Sequence, residues 1–223
     1  MTDGSGPTRI TVLISGSGTN LQAIIDASDT QRLPNVKIVR VISDRARAYG
    51  LVRAENASIP TSTHGILPYK KRFPDGSNDP QYQEARRAYD ADLAKIVLED
   101  HPDIIVCAGF MRILTTAFLN PIGKESVPII NLHPGKPGDL VGAHCIERAW
   151  TEFEEGKRKE TGIMIHYVIE EVDMGEPIVD ETISIEGCKT LGELEERIHS
   201  HEHGLIVKGT KAAIDALKTK SKA

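Results

Sequence analysis

Asn131 and His133 stand two apart at the end of an apolar run, Val127-Pro128-Ile129-Ile130-Asn131-Leu132-His133-Pro134. Residues two apart in a strand project from one face. An amide and an imidazole would therefore leave a strand tip side by side, a pairing suited to stabilising an oxyanion and moving a proton. A purely structural reason for it is weak, because Asn and His buried at the end of a β-branched strand cost free energy unless both find partners. Further on, Asp173 lies in the turn Val172-Asp173-Met174-Gly175-Glu176-Pro177. Asp and Gly serve turns routinely, and a carboxylate beside His133 would also favour the imidazolium.

A second constellation opens the chain. The apolar run Arg9–Ser15 passes straight into Gly16-Ser17-Gly18-Thr19-Asn20-Leu21 and then a helical pattern. In that layout glycines let the backbone close on an anion while helix N–H groups and the dipole hold it. Leu21 stands where a dinucleotide fingerprint needs its third Gly. Neither Gly123-Lys124-Glu125 nor Gly135-Lys136-Pro137 completes a Walker loop. A terminal phosphate on a small ribonucleotide fits the loop best. Asp44, at the end of the second apolar run, is the one vote for a dinucleotide.

The elements that must carry these residues alternate. Arg9–Ser15, Lys37–Ser43, Ile104–Ala108 and Ile129–Leu132 read as buried strands, and Asn20–Ser28, Ala46–Asn56 and Asp79–Asp100 as helices between them. Asp79-Pro80 supplies an N-cap and an N1 proline. That order predicts an α/β fold, Rossmann-like, with a mostly parallel sheet flanked by helices. Gly162–Ile169 and Ile178–Ile185 predict antiparallel strands in the C-terminal half; His144–Phe153 and Leu191 to about Leu217 predict helices. Gly65–Asn78 reads as an exposed excursion and Glu154–Glu160 as a solvated charged loop. One domain is expected over 1–223, with a flexible tail at 1–8, a phosphate-binding parallel half at 9–133 and a second half at 134–223.

Composition narrows the function. The 223 residues are 39% hydrophobic, 26% charged and 4% aromatic, so the core is aliphatic. Lys and Arg number 27 against 32 acids, a net charge of −5, which argues against a nucleic-acid or membrane-surface binder. Three cysteines, Cys107, Cys145 and Cys188, without C-x-x-C spacing read as reduced and intracellular. The start lacks a signal-peptide layout, no apolar run approaches the roughly 20 residues of a membrane helix, and Ser221-Lys222-Ala223 matches a peroxisomal address only loosely. A cytoplasmic monomer or homodimer is expected. His199, His201 and His203 invite a metal reading, but no third ligand or supporting shell is evident, so no metal is expected. His144 and His166 receive no role, and Trp150 reads as core.

Several segments together resemble the phosphoribosylglycinamide formyltransferases, the glycinamide ribonucleotide transformylases. They are Ile14-Ser15-Gly16-Ser17-Gly18-Thr19-Asn20-Leu21-Gln22-Ala23-Ile24, Arg87-Ala88-Tyr89-Asp90, Ala108-Gly109-Phe110-Met111-Arg112-Ile113-Leu114, Ile130-Asn131-Leu132-His133-Pro134, Thr161 to Val168, Asp173-Met174-Gly175 and Glu202-His203, in the family's order. The resemblance implies transfer of a formyl group from 10-formyltetrahydrofolate, as co-substrate, to the amine of phosphoribosylglycinamide in purine (IMP) biosynthesis. It implies that Gly18, Thr19 and Asn20 hold the ribonucleotide phosphate and that Glu202 lies near the amine. Met111, Arg112, Ile113 and Leu114 would line the folate pocket with Asn131, and Arg86 would face the folate tail. Asn131, His133 and Asp173 would be catalytic. The sequence departs from the family after His133-Pro134, where Gly135-Lys136-Pro137-Gly138-Asp139-Leu140-Val141-Gly142 keeps the Pro-Gly turn, offers fewer apolar contacts and adds a cation.

A formyltetrahydrofolate hydrolase would share Asn, His and Asp with water as acceptor, but Gly-Ser-Gly-Thr-Asn suits a phosphorylated one. The acidic balance disfavours a methionyl-tRNA formyltransferase. A nicotinamide-dependent oxidoreductase would explain Asp44 and the glycine loop, and leaves Asn131, His133 and Phe110–Leu114 unexplained.

Overall fold

The computed structural model describes residues 6–70 and 80–220. Seven strands form one sheet in the order β3-β2-β1-β4-β5-β6-β7: β1 Thr8–Ile14, β2 Val36–Ser43, β3 Thr61–Thr63, β4 Ile104–Cys107, β5 Ile129–His133, β6 Glu160–Tyr167 and β7 Pro177–Ser184. The first five pair in parallel and the last two antiparallel, as the alternating pattern predicts. The helices are α1 Thr19–Ala27, α2 Tyr49–Asn56, α3 Leu67–Lys70, α4 Pro80–Leu98, α5 Thr116–Lys124, α6 Cys145–Glu154 and α7 Leu191–Lys220.

Side-chain alternation along the strands makes two cores. Ile10, Val12, Ile14, Val106, Ile130 and Ile165 point to the face covered by α1, α2, α6 and α7. Leu13, Ile42, Ile105 and Ile129 point to the other face and pack with Tyr89 and Leu93 of α4 and Phe118 and Ile122 of α5. Both faces of β1 and β4 are buried, which is why those runs are continuously apolar.

Three differences from the expected elements have local causes. Thr8 already pairs with Val36, so the strand takes the last residue of the expected tail. Strand β3 is three residues at the sheet edge, too short to show a period. Helix α5 carries Pro121 inside it, which argues against a helix by sequence, yet Thr115 caps it by accepting from the Ala117 N–H, and Phe118 and Ile122 hold it to the core. Asp79, most of the Gly65–Asn78 excursion and Ser221–Ala223 lie outside the described residues.

Candidate active site

Parallel strands deliver their loops to one edge of the sheet, and there the two sequence constellations meet. After β1, Gly18 sits at φ +72 as the N-cap of α1, and a Cβ on it would come within 2.5 Å of the Gly50 Cα in α2. Only glycine satisfies both the left-handed backbone and the helix approach. Thr19 is exposed at the helix start, and Asn20 is buried, its amide Nδ2 donating 3.0 Å to Glu202 Oε2 on α7. Asn20 and Glu202 thus come together across 182 residues of chain.

The β4 exit lies alongside. Ser15 N–H donates to the Gly109 carbonyl, and Met111 N–H donates 2.8 Å to Ser15 Oγ, fixing the Phe110–Leu114 segment against the glycine loop. Arg86 on α4 donates to the Ile113 carbonyl at 2.5 Å and braces that segment. Met111 and Ile113 are 74% and 58% exposed, an apolar pair at the surface of this strand exit. Leu114 points the other way, into the core. The guanidinium of Arg112, the member of this segment that packing leaves unexplained, is engaged internally. Its Nε lies 2.7 Å from Asp44 Oδ2, and its carbon stands 5.3 Å over the Tyr89 ring. That pairing also corrects the dinucleotide vote: the Asp44 carboxylate is 2% exposed and faces a cation, out of reach of a ribose.

On β5, Asn131 and His133 do share a face, the α4/α5 face. Asp173, at φ +56 in its turn, reaches both His133 and a residue given no role by sequence, His166. Its Oδ2 lies 3.2 Å from His133 Nδ1, and its Oδ1 lies 3.5 Å from His166 Nε2. His166 is the antiparallel partner of Asn131, with 3.3 Å between Asn131 Nδ2 and His166 Nε2. The expected trio is therefore part of a connected group of four. The fourth member is hidden in the sequence because the β5–β6 register is a tertiary fact with no local signal. The turn that brings Asp173 in depends on Gly175, where a Cβ would run into the Tyr167 carbonyl.

The electrostatics differ from the simple expectation in one respect. Burial pushes His133 below its ordinary pKa, and this outweighs Asp173 and the Leu140 carbonyl, both of which raise it. His133 is 4% exposed, so the strand end that carries it is buried. For Asp173, burial pushes the carboxyl up, but hydrogen bonds from His166 and the Gly142 N–H, with the nearby His133, hold it below the usual carboxylate range. The site is thus a carboxylate holding an imidazole that is mostly neutral at pH 7.

On the same sheet face, a cavity of about 240 Å³ opens between α5 and the segment after β6, lined by Leu119, Ile129, Tyr167, Val168 and Ile169 among others. The Phe110–Leu114 segment does not line this cavity. Among the described residues no helix is long and apolar enough to cross a membrane, and no group of three or more His, Cys, Asp or Glu is placed to hold a metal. The helical histidines divide, with His201 Nδ1 lying 2.6 Å from Glu181.

Known proteins share this architecture. Residues 8–210 match the model of the formyl transferase family. The chain is 46% identical over 213 residues to the phosphoribosylglycinamide formyltransferase of Saccharomyces cerevisiae, covering 94% of this chain and 98% of that protein. The counterpart from Dictyostelium discoideum is 49% identical over 206 residues, covering 91% and 96%. Among solved structures, glycinamide ribonucleotide transformylase 1 from Symbiobacterium toebii superposes with a TM-score of 0.76 at 32% identity, covering 92% of this chain and 86% of that one. The chain belongs to the formyl transferase family, alongside its phosphoribosylglycinamide formyltransferases.

Proposed function

We propose that this chain moves the formyl group of 10-formyltetrahydrofolate onto the amine of phosphoribosylglycinamide, in purine (IMP) biosynthesis. The observation that carries the mechanism is the single carboxylate, Asp173, set between His133 and His166 with Asn131 at the strand tip. In the reaction the amine nitrogen bonds to the formyl carbon and the carbonyl oxygen becomes an oxyanion. The bond from that carbon to the folate N10 then breaks, and one proton passes from the amine to N10. Asn131 Nδ2 donates to the oxyanion, and His133, once protonated, donates to it from Nε2, the nitrogen that Asp173 leaves free. Asp173 orients the ring and favours its charged form as the proton moves. No step needs a metal, since the neutral amine is already the nucleophile.

The ribonucleotide phosphate binds Gly18, Thr19 and Asn20 at the α1 N-terminus. Glu202, held by Asn20, faces the amine end. Exposed Met111 and Ile113 and the cavity beside Ile129 offer apolar contact to the folate rings, and backbone groups of Arg112 and Leu114 complete that wall. Arg86 stands beside this wall, toward the folate tail.

The test is the folate absorbance change on mixing the protein with a 10-formyl folate, with and without phosphoribosylglycinamide. Formyl loss only with the ribonucleotide supports the transferase. Formyl loss without it turns the reading into a hydrolase, and no loss in either case ends it.

A further inference from the structure

The segment where the sequence departs from the family pattern, Gly135 to Gly142, lies directly on the catalytic imidazole. The Leu140 carbonyl is 3.2 Å from His133 Nε2, the ring nitrogen that Asp173 leaves free. Four further ties hold the segment there. Cys145 Sγ lies 2.6 Å from the Leu140 carbonyl, 2.8 Å from the Gly142 carbonyl and 3.6 Å from His133 Nε2. Arg148 donates 2.7 Å to the Val141 carbonyl. Gly142 N–H donates to Asp173. Lys136 pairs with Glu160 on β6.

The strongest tie comes from the charged stretch that reads as a solvated loop. Arg158 donates from Nη1 to Asp139 Oδ2 at 2.6 Å and from Nη2 to Asp139 Oδ1 at 2.9 Å, while its Nε donates 2.8 Å to Glu152. Its side chain is 15% exposed, so this two-bond pair is screened less than an ordinary surface ion pair. We propose that Arg158 is a positioning residue: by gripping Asp139 with both terminal nitrogens, it latches the Gly135–Gly142 segment as a cap whose Leu140 carbonyl covers Nε2 of His133. Ion pairs thus fasten a segment that has few apolar side chains to anchor it, and the cap must lift before that nitrogen reaches a ligand. A neutral ring can donate to only one of its two facing acceptors, Asp173 or Leu140, so the cap rests on the latch more than on the imidazole.

This inference rests on the proposed function for its consequence, but its test needs no turnover. Cys145 is 2% exposed beneath the cap, and burial pushes its thiol up despite Arg148 nearby. Cys107 and Cys188 are buried elsewhere. Alkylation of the whole chain by iodoacetamide, mapped by peptide mass, reads cap opening at Cys145 and wider unfolding at the other two. Arg158→Met is expected to speed Cys145 labelling about 5- to 10-fold and leave Cys107 and Cys188 unchanged. High NaCl should speed it in the wild type and not in the variant. Arg158→Asp combined with Asp139→Arg should restore slow labelling. Equal Cys145 rates in wild type and Arg158→Met, or a joint rise at all three cysteines, would overturn the latch.

Discussion

Burial and bonding pull the His133 ring in opposite directions, and burial prevails. The folded ring therefore holds its proton less tightly than in the unfolded chain, where the value is about 6.5. Folding favours the neutral form, a contribution fully present above about pH 6.5 and lost as pH falls through the lower folded value. His133→Gln should accordingly flatten the fall of the urea midpoint below that pH. In turnover, the acid limb of kcat/KM should lie below about pH 6.5, and Asp173→Asn should move it lower still by removing a charge that supports the imidazolium. An unmoved limb would take Asp173 out of the catalytic group. His133→Ala should cut kcat by about 10²–10⁴. Because the ring is packed among Asp173, Leu140 and Cys145, that variant should also lose measurable thermal stability. Arg112→Ala would strand the Asp44 carboxylate in the core, and a loss of about 3–5 kcal/mol in denaturant unfolding is expected.

At the scale of elements, two helix contacts separate binding from stability. Asn20→Ala unties α1 from α7 and leaves Glu202 without its amide. The KM for the ribonucleotide should rise more than that for the folate, and equal rises would undercut the phosphate-loop assignment. Gly209, on α7, is different: a Cβ there would meet the Ile165 side chain at 2.6–2.8 Å. Gly209→Ala should cost about 1–3 kcal/mol in an unfolding titration with both KM values intact. The strands and their helices are legible in the sequence because apolar runs and helical spacing are local properties. The boundaries of β2 and β5 differ from the expected ones by a residue each. Helix α5 is not legible, since Pro121 speaks against a helix until Phe118 and Ile122 find a core.

For the whole molecule, the two cores share the same central strands, so we expect them to melt together. Cys107 belongs to one core and Cys188 to the other. Their labelling midpoints in urea should coincide with a single calorimetric transition; separated midpoints would divide the chain into independent units. Individual residues point to Asn131, His133, Asp173 and Asn20, and the family resemblance to Glu202; the fold brings Asn20 to Glu202 and Asp173 to His133. His166 escapes notice in the sequence because it takes its place through cross-strand register, and Arg158 because only tertiary packing sets it against Asp139.

The sheet is also a wall. Asn20 and Glu202 stand toward the side of α1 and α7, whereas His133, His166 and Asp173 stand toward that of α4 and α5. The two groups therefore flank the β5 end from opposite faces of the sheet. On the proposed function, the groups that hold the ribonucleotide and those that handle the formyl carbon thus answer to different faces of one sheet, and the end of a single strand joins them.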